Sequence, residues 1–131
     1  MKIKTTCIID DDPIFIFGTK ILLKNNNFSE FVLVSNNGKE AISDLQEYVK
    51  KTLKLPEIIF LDLNMPVMDG WEFLDSFDSF FKDLNTKIYI LSSSIDSRDM
   101  ERSKKYSIVK GFIAKPLTDK RINDLKNDFS I

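Results

Sequence analysis

Four groups of polar residues stand directly after apolar runs, and their side chains suit phosphate and hard cations. Asp10, Asp11 and Asp12 follow Thr6-Cys7-Ile8-Ile9, while Asp62 and Asn64 follow Ile58-Ile59-Phe60-Leu61. Ser92, Ser93 and Ser94 follow Ile88-Tyr89-Ile90-Leu91, and Lys115-Pro116 follows Gly111-Phe112-Ile113-Ala114. Carboxylates gathered together repel one another and hold raised pKa values unless a cation neutralises them. The chain has no histidine and one cysteine, so it offers a metal only oxygen. The fitting ion is one that keeps some waters and accepts phosphate oxygens: magnesium, with manganese as a substitute. Asp62 is the candidate nucleophile, because carboxylates form aspartyl phosphates. Lys115 would offset charge on an incoming phosphoryl group, and the Ser92 hydroxyl would donate a hydrogen bond to it.

These residues can meet only if the chain brings the strand ends together. Five apolar runs, the four above and Phe31-Val32-Leu33-Val34, are continuous rather than alternating, as in parallel strands covered on both faces. Segments of helical spacing lie between them. They are marked by Ile14, Phe17 and Ile21; by Ile42, Leu45, Val49 and Leu53; by Phe73, Leu74, Phe77, Phe80, Phe81 and Leu84; and by Ile122, Leu125 and Phe129. The stretch from Ser97 to Tyr106 has only Met100 and Tyr106 for apolar weight. Asp12-Pro13 reads as an N-cap followed by proline at the first helical position, and Asp69-Gly70 precedes the aromatic-rich helix. The alternation predicts a three-layer α/β domain: a doubly wound, flavodoxin-like (βα)5 sheet of five parallel strands in the order 2-1-3-4-5. In that order the winding reverses between strands one and three, where open α/β sheets bind ligands at the carboxyl ends of their strands. Asp10, Asp11 and Asp62 should converge there.

Composition excludes other classes. The 131 residues are 43% hydrophobic and 30% charged, as in ordinary globular domains. Nineteen basic residues against twenty acidic ones favour neither nucleic acid nor an anionic membrane as partner. No apolar run approaches the ~20 residues of a membrane span, no secretory leader is legible, and a cytoplasmic protein is expected. Cys7 lies in an apolar run and reads as a buried, inert thiol. Without histidine the chain is neither a histidine kinase, a histidine phosphotransfer protein nor a Ser-His-Asp hydrolase, and histidine-bound zinc is excluded.

Along nearly its whole length the chain resembles the response-regulator receiver domains of two-component signalling systems. The resemblance rests on Ile8-Ile9-Asp10-Asp11-Asp12-Pro13, on Phe60 to Gly70, on Leu91-Ser92-Ser93, and on Phe112-Ile113-Ala114-Lys115-Pro116. It implies that Asp62 is the phosphoacceptor, and that Asp10, Asp11, Asp62 and the backbone carbonyl of Asn64 form the metal site. Ser92 matches the switch hydroxyl, Lys115 the phosphoryl-stabilising lysine, and Phe112 the switch aromatic. The bond to Pro116 is expected to be cis, and Asn64 and Ser94 stand where receivers tune phosphoryl lifetime. The implied donor is a sensor histidine kinase or a histidine phosphotransfer protein, and the output is an unspecified protein target. Residues 1–131 are expected to form one receiver domain without an output domain, a switch rather than a turnover enzyme. Two other readings remain open: a magnesium-dependent phosphohydrolase, against which Asn64 replaces the second acid, and a non-phosphorylated flavodoxin-like binding module. Asp12 reads as an N-cap, Asp69 and Gly70 as turn formers, and the phenylalanine stripe as core. Arg98 to Lys105 reads as a solvated helix face bordering the region that changes on phosphorylation.

Overall fold

Each apolar run forms a strand and each helically spaced segment a helix. The computed structural model describes residues 3–81 and 85–129. In chain order the elements are β1 (Ile3–Ile9), α1 (Pro13–Asn25), β2 (Ser29–Ser35), α2 (Gly38–Thr52), β3 (Ile58–Asp62), α3 (Gly70–Phe80), β4 (Lys87–Ser92), α4 (Ser97–Ser103), β5 (Val109–Ala114) and α5 (Asp119–Asp128). All four strand pairings are parallel, and the order is β2-β1-β3-β4-β5, as the sequence predicts. None of the described helices is long and apolar enough to cross a membrane.

Successive side chains on a strand point to opposite faces, and each face of the sheet has its own helical cover. Ile8, Phe60, Tyr89 and Ile113 pack with Ile16 and Leu23 of α1 and Ile122 and Leu125 of α5. Cys7, Ile9, Ile59, Leu61 and Ile90 pack with Ala41 and Leu45 of α2 and Phe73, Leu74 and Phe77 of α3. Every residue of β3 is buried. That two-sided cover is the reason its sequence is an unbroken apolar run.

Three helices depart from the sequence reading. In α1 the stripe Ile14, Phe17 and Ile21 faces outward, with exposures of 82%, 68% and 44%, and Ile16, Thr19 and Leu23 form the buried face. The helix has apolar residues on both sides, so periodicity alone selected the wrong one. In α2, Ile42 and Leu45 are buried, but Leu53 ends the helix in the left-handed region (φ 63°) with its side chain 84% exposed. Helix α3 starts with a reciprocal capping box between Asp69 and Glu72 and ends at Phe80. Phe73 and Phe77 are core, Phe80 is exposed, Phe81 is half-buried, and Leu84 lies outside the described residues.

Helix α4 forms with little apolar support. It has seven residues, only Ser103 is buried, and Met100 is exposed. Its anchor is polar and aromatic instead. The Arg102 guanidinium lies 4.4 Å over the Trp71 ring, and Trp71 and Tyr106 rings sit 6.1 Å apart. The Tyr106 hydroxyl donates to Asp75 Oδ1 at 2.6 Å, and that bond pushes the phenol up to about 12, so it stays a donor.

Two glycines test how tightly the sheet edge is built. A Cβ on Gly70 would lie 2.8 Å from both the Asp62 carbonyl oxygen and Leu63 Cα, atoms of the backbone that cannot swing aside, whereas one on Gly18 meets nothing within 4 Å. Gly70→Ala should therefore cost about 1–3 kcal/mol as overpacking. Gly18→Ala, the same chemical change inside exposed α1, should instead stabilise by up to ~1 kcal/mol. Urea unfolding of the two variants measures both.

Candidate functional site

The site is built where β1 and β3 lie side by side. Ile9 and Leu61 are register partners, so Asp10 and Asp62 are the next residues along two neighbouring strands. Asp10 is wholly buried, Asp62 is buried to 7% exposure, and Asp11 is exposed. One carboxylate oxygen from each lies within 4.8 Å of the others. Lys115, at the end of β5, reaches across to them. Its Nζ is 2.7 Å from Asp10 Oδ2 and 3.7 Å from Asp62 Oδ1.

Hydrogen bonding is uneven over these groups. Asp10 Oδ1 accepts from the Asp12 amide at 2.9 Å. Asp10 Oδ2 is buried and takes no hydrogen bond: the ammonium touches it as a charge contact outside the hydrogen-bonding direction. Asp62 Oδ1 accepts a long 3.4 Å contact from the Asn64 amide. The Asp62 carboxyl is raised above its ordinary value, first by burial and next by the charge of Asp10; Lys115 and the Asn64 amide oppose the shift, and Asp11 adds slightly to it. Three carboxylates against one ammonium leave two negative charges unbalanced (3 − 1 = 2). A divalent cation closes that deficit. The donor set is oxygen throughout, and the buried Asp10 Oδ2 has no hydrogen bond and only the Lys115 charge beside it, so the residues fit magnesium or manganese.

The structure places the other expected residues as follows. Asn64 is exposed, with its amide toward Asp62. The Ser92 hydroxyl is turned away into its own loop, donating to the Ser94 carbonyl at 2.6 Å and accepting from the Ser94 amide at 3.1 Å. Ser94 itself is exposed. Phe112 is half-buried against the α2–α3 side of the core. The Lys115–Pro116 bond is cis, and the Lys115 amide donates to the Ser92 carbonyl at 2.9 Å, tying the ends of β4 and β5 together. Asp12 caps α1 through the amides of Ile14 and Phe15. Two contributors escaped the sequence reading. Gly70 allows α3 to begin against the Asp62 backbone, donating its amide to the Leu63 carbonyl at 3.0 Å. Phe15 sets its ring face 4.6 Å from Lys115 Nζ. The Asp69-Gly70 pair announced a turn but not the close approach, and nothing in the order of residues joins Phe15 to Lys115.

Residues 6–126 match the family described as Response regulator receiver domain. The chain is 33% identical over 115 residues to the chemotaxis protein CheY of Listeria monocytogenes, covering 88% of each chain. It is 29% identical over 125 residues to a protein-glutamate methylesterase/protein-glutamine glutaminase of Methanococcoides burtonii, covering 94% of this chain and 33% of that protein. The first curated relatives are thus matched over about a third to two-fifths of their length. Among solved structures, a two component response regulator from Cytophaga hutchinsonii superposes with a TM-score of 0.89 at 32% identity, over 98% of this chain and 97% of the other.

Two predictions follow from the charge imbalance. The first concerns Asp62 in the metal-free protein. A carboxyl raised in the folded state contributes stability that is present below the ordinary carboxylate range and lost as pH rises through the raised value. Asp62→Asn should thus be more stable than the parent at neutral pH in chelator, with the gap closing on acidification in denaturant titrations. The second concerns Asp11, which is exposed and dispensable to the core. Magnesium at about 100-fold over its dissociation constant should stabilise the parent by about 2.7 kcal/mol, and Asp11→Ala should abolish most of that gain in thermal melts while folding normally without the ion.

Proposed function

This chain belongs to the response regulator receiver domain family, and on that premise we propose that it is a signalling switch set by a phosphoryl group on Asp62. The observation that carries the reading is the shared ammonium: Lys115 Nζ stands against buried Asp10 and Asp62 while Asp11 lies beside them at the surface. A carboxylate with a lysine at hand and two further carboxylates able to hold a cation beside it is equipped for phosphoryl transfer.

An oxygen of Asp62 attacks the phosphorus of a phosphohistidine. The P–O bond forms as the P–N bond breaks, and the electron pair of that bond leaves with the imidazole nitrogen. The product is a mixed anhydride on Asp62. These residues contain no histidine, so the donor histidine lies outside them, in a sensor histidine kinase or a histidine phosphotransfer protein. Asp10, Asp11, Asp62 and the Asn64 carbonyl would hold magnesium or manganese, whose positive charge would offset the phosphoryl oxygens. Lys115, freed from part of its attraction to Asp10, ion-pairs with the phosphoryl group.

Ser92 completes the response. Its hydroxyl leaves its two bonds with Ser94 and donates to the phosphoryl group, an exchange whose net cost is small because each such bond is worth about 1 kcal/mol. Phe112, half-buried on the neighbouring strand, repositions with it. Two populations of the α4–β5–α5 face result, and a downstream protein reads the difference. Asn64 and Ser94, both exposed at the site, govern access of hydrolytic water and so the lifetime of the signal. The reaction stops at the acyl phosphate and its slow loss rather than turning over substrate. One relative, matched over a third of its length, is named for a methylesterase and glutaminase activity, whereas the activity proposed for this chain is the switch itself, acting in the cytoplasm.

Incubation with acetyl phosphate and magnesium should add the mass of one phosphoryl group. The adduct should be labile to base and hydroxylamine, and it should not form in chelator or in Asp62→Asn. Persistence of the adduct in Asp62→Asn, or rapid multiple turnover of phosphodonor, would refute the assignment.

A further inference from the structure

The contact between Phe15 and Lys115 joins the site to a residue that no part of the phosphoryl chemistry requires. Lysine is a flexible four-carbon stem with a compact, strongly hydrated charge, and nothing in its own structure favours one orientation. Here the ammonium is hemmed on two sides. Asp10 and Asp62 lie on one, and the Phe15 ring face lies 4.6 Å away on the other. The Lys115 side chain is only 15% exposed as a result. Phe15 is itself held: it is the third residue of α1, its amide donates to the Asp12 cap, and its ring packs against the core face shared by α1 and α5.

The ring matters most when the carboxylates let go. In the metal-free site Asp10 is the nearest of the described partners of the ammonium, at 2.7 Å. Once a cation neutralises Asp10 and Asp11, that attraction weakens and the lysine is free to swing to water. The attraction of an aromatic face for an ammonium does not depend on the carboxylates, and it is stronger in a partly dry site. We propose that Phe15 is a positioning residue, whose ring face keeps the Lys115 ammonium in the site while its carboxylate partners are occupied, and so presents it to the incoming phosphoryl group. This rests on the phosphoryl-accepting role of Asp62, and the test separates the two.

Three variants discriminate. Phe15→Leu keeps an apolar side chain without a ring, Phe15→Tyr keeps the ring face, and pentafluorophenylalanine at position 15 keeps the shape but reverses the charge distribution of the face. The first readout is the lysine ammonium signal in nuclear magnetic resonance, recorded both without metal and with magnesium. In the parent and Phe15→Tyr the Lys115 signal should persist in magnesium, protected from exchange with water. In Phe15→Leu and the fluorinated protein it should broaden away in magnesium, while magnesium affinity is unchanged. The second readout is phosphorylation by acetyl phosphate, expected to slow by roughly 3- to 30-fold in those two and to stay near parental in Phe15→Tyr. Parental behaviour of the fluorinated protein on the ammonium signal would overturn the proposal, as would equal losses in all three, which would reduce Phe15 to packing. If the parent takes up no phosphoryl group, the role of Asp62 fails, and the ammonium signal still decides the role of Phe15. Because the fluorinated ring fills the native space, the decision does not hinge on whether leucine is tolerated.

Discussion

Two buried carboxylates share one ammonium at the edge of this sheet. Lys115 Nζ is 2.7 Å from Asp10 and 3.7 Å from Asp62, and β5, which carries it, is separated from β3 by β4. Such a contact exists only if three strand ends are level. The register sets this, with Asp62 opposite Leu91 and Ser92 opposite Ala114. The amide of Lys115 bonded to the Ser92 carbonyl then closes the last gap. Like charges at this distance push apart, so the scaffold beneath them has to be stiff. A fully buried β3, with apolar layers on both faces, supplies the stiffness. Gly70 adds to it by letting α3 begin in contact with the Asp62 backbone.

The fold was legible because burial on both faces forces each central strand to be apolar without interruption, and that leaves a plain mark in Ile58 to Leu61 and Ile88 to Leu91. The carboxylates, Ser92 and Lys115 were legible for a related reason: each is the first polar residue after such a run, and parallel strands align their ends. Features that depend on angle around a helix were not. Helix α1 has apolar residues on two faces, and only the packed structure shows that Ile16 and Leu23 go inward while Ile14 and Phe17 face solvent. Leu53 shares the spacing of α2 but falls one residue past its end, where the backbone has already turned left-handed. The pairing of Phe15 with Lys115 spans most of the chain, and no local pattern encodes it.

Position on the sheet edge fixes which atoms meet but not how they are oriented. Ser92 illustrates the difference. It stands at the end of β4 on the same sheet edge, yet it is bonded in both directions to Ser94. A serine hydroxyl satisfies itself locally whenever the backbone two residues on is within reach. Carboxylates and lysine converge in this state, while the Ser92 hydroxyl is held within its own loop.

If Asp62 accepts a phosphoryl group as proposed, the response is set by the weakest seat around this rim. The central strands cannot yield, since moving a fully buried Phe60 or Ile90 would open cavities costing several kcal/mol. Helix α4 is held differently. Its only buried residue is Ser103, and its other ties are a guanidinium over Trp71 and the neighbouring Tyr106–Asp75 hydrogen bond. Contacts of these kinds at partly exposed positions are worth about 0.5–1.5 kcal/mol each. A doubly charged group beside Lys115, as proposed, would supply charge-assisted hydrogen bonds of about 1.5–3 kcal/mol each, comparable to these described ties of α4 and small against the core. On the proposed phosphorylation of Asp62, the α4 side, held by the smaller ties, is therefore expected to yield before the core does.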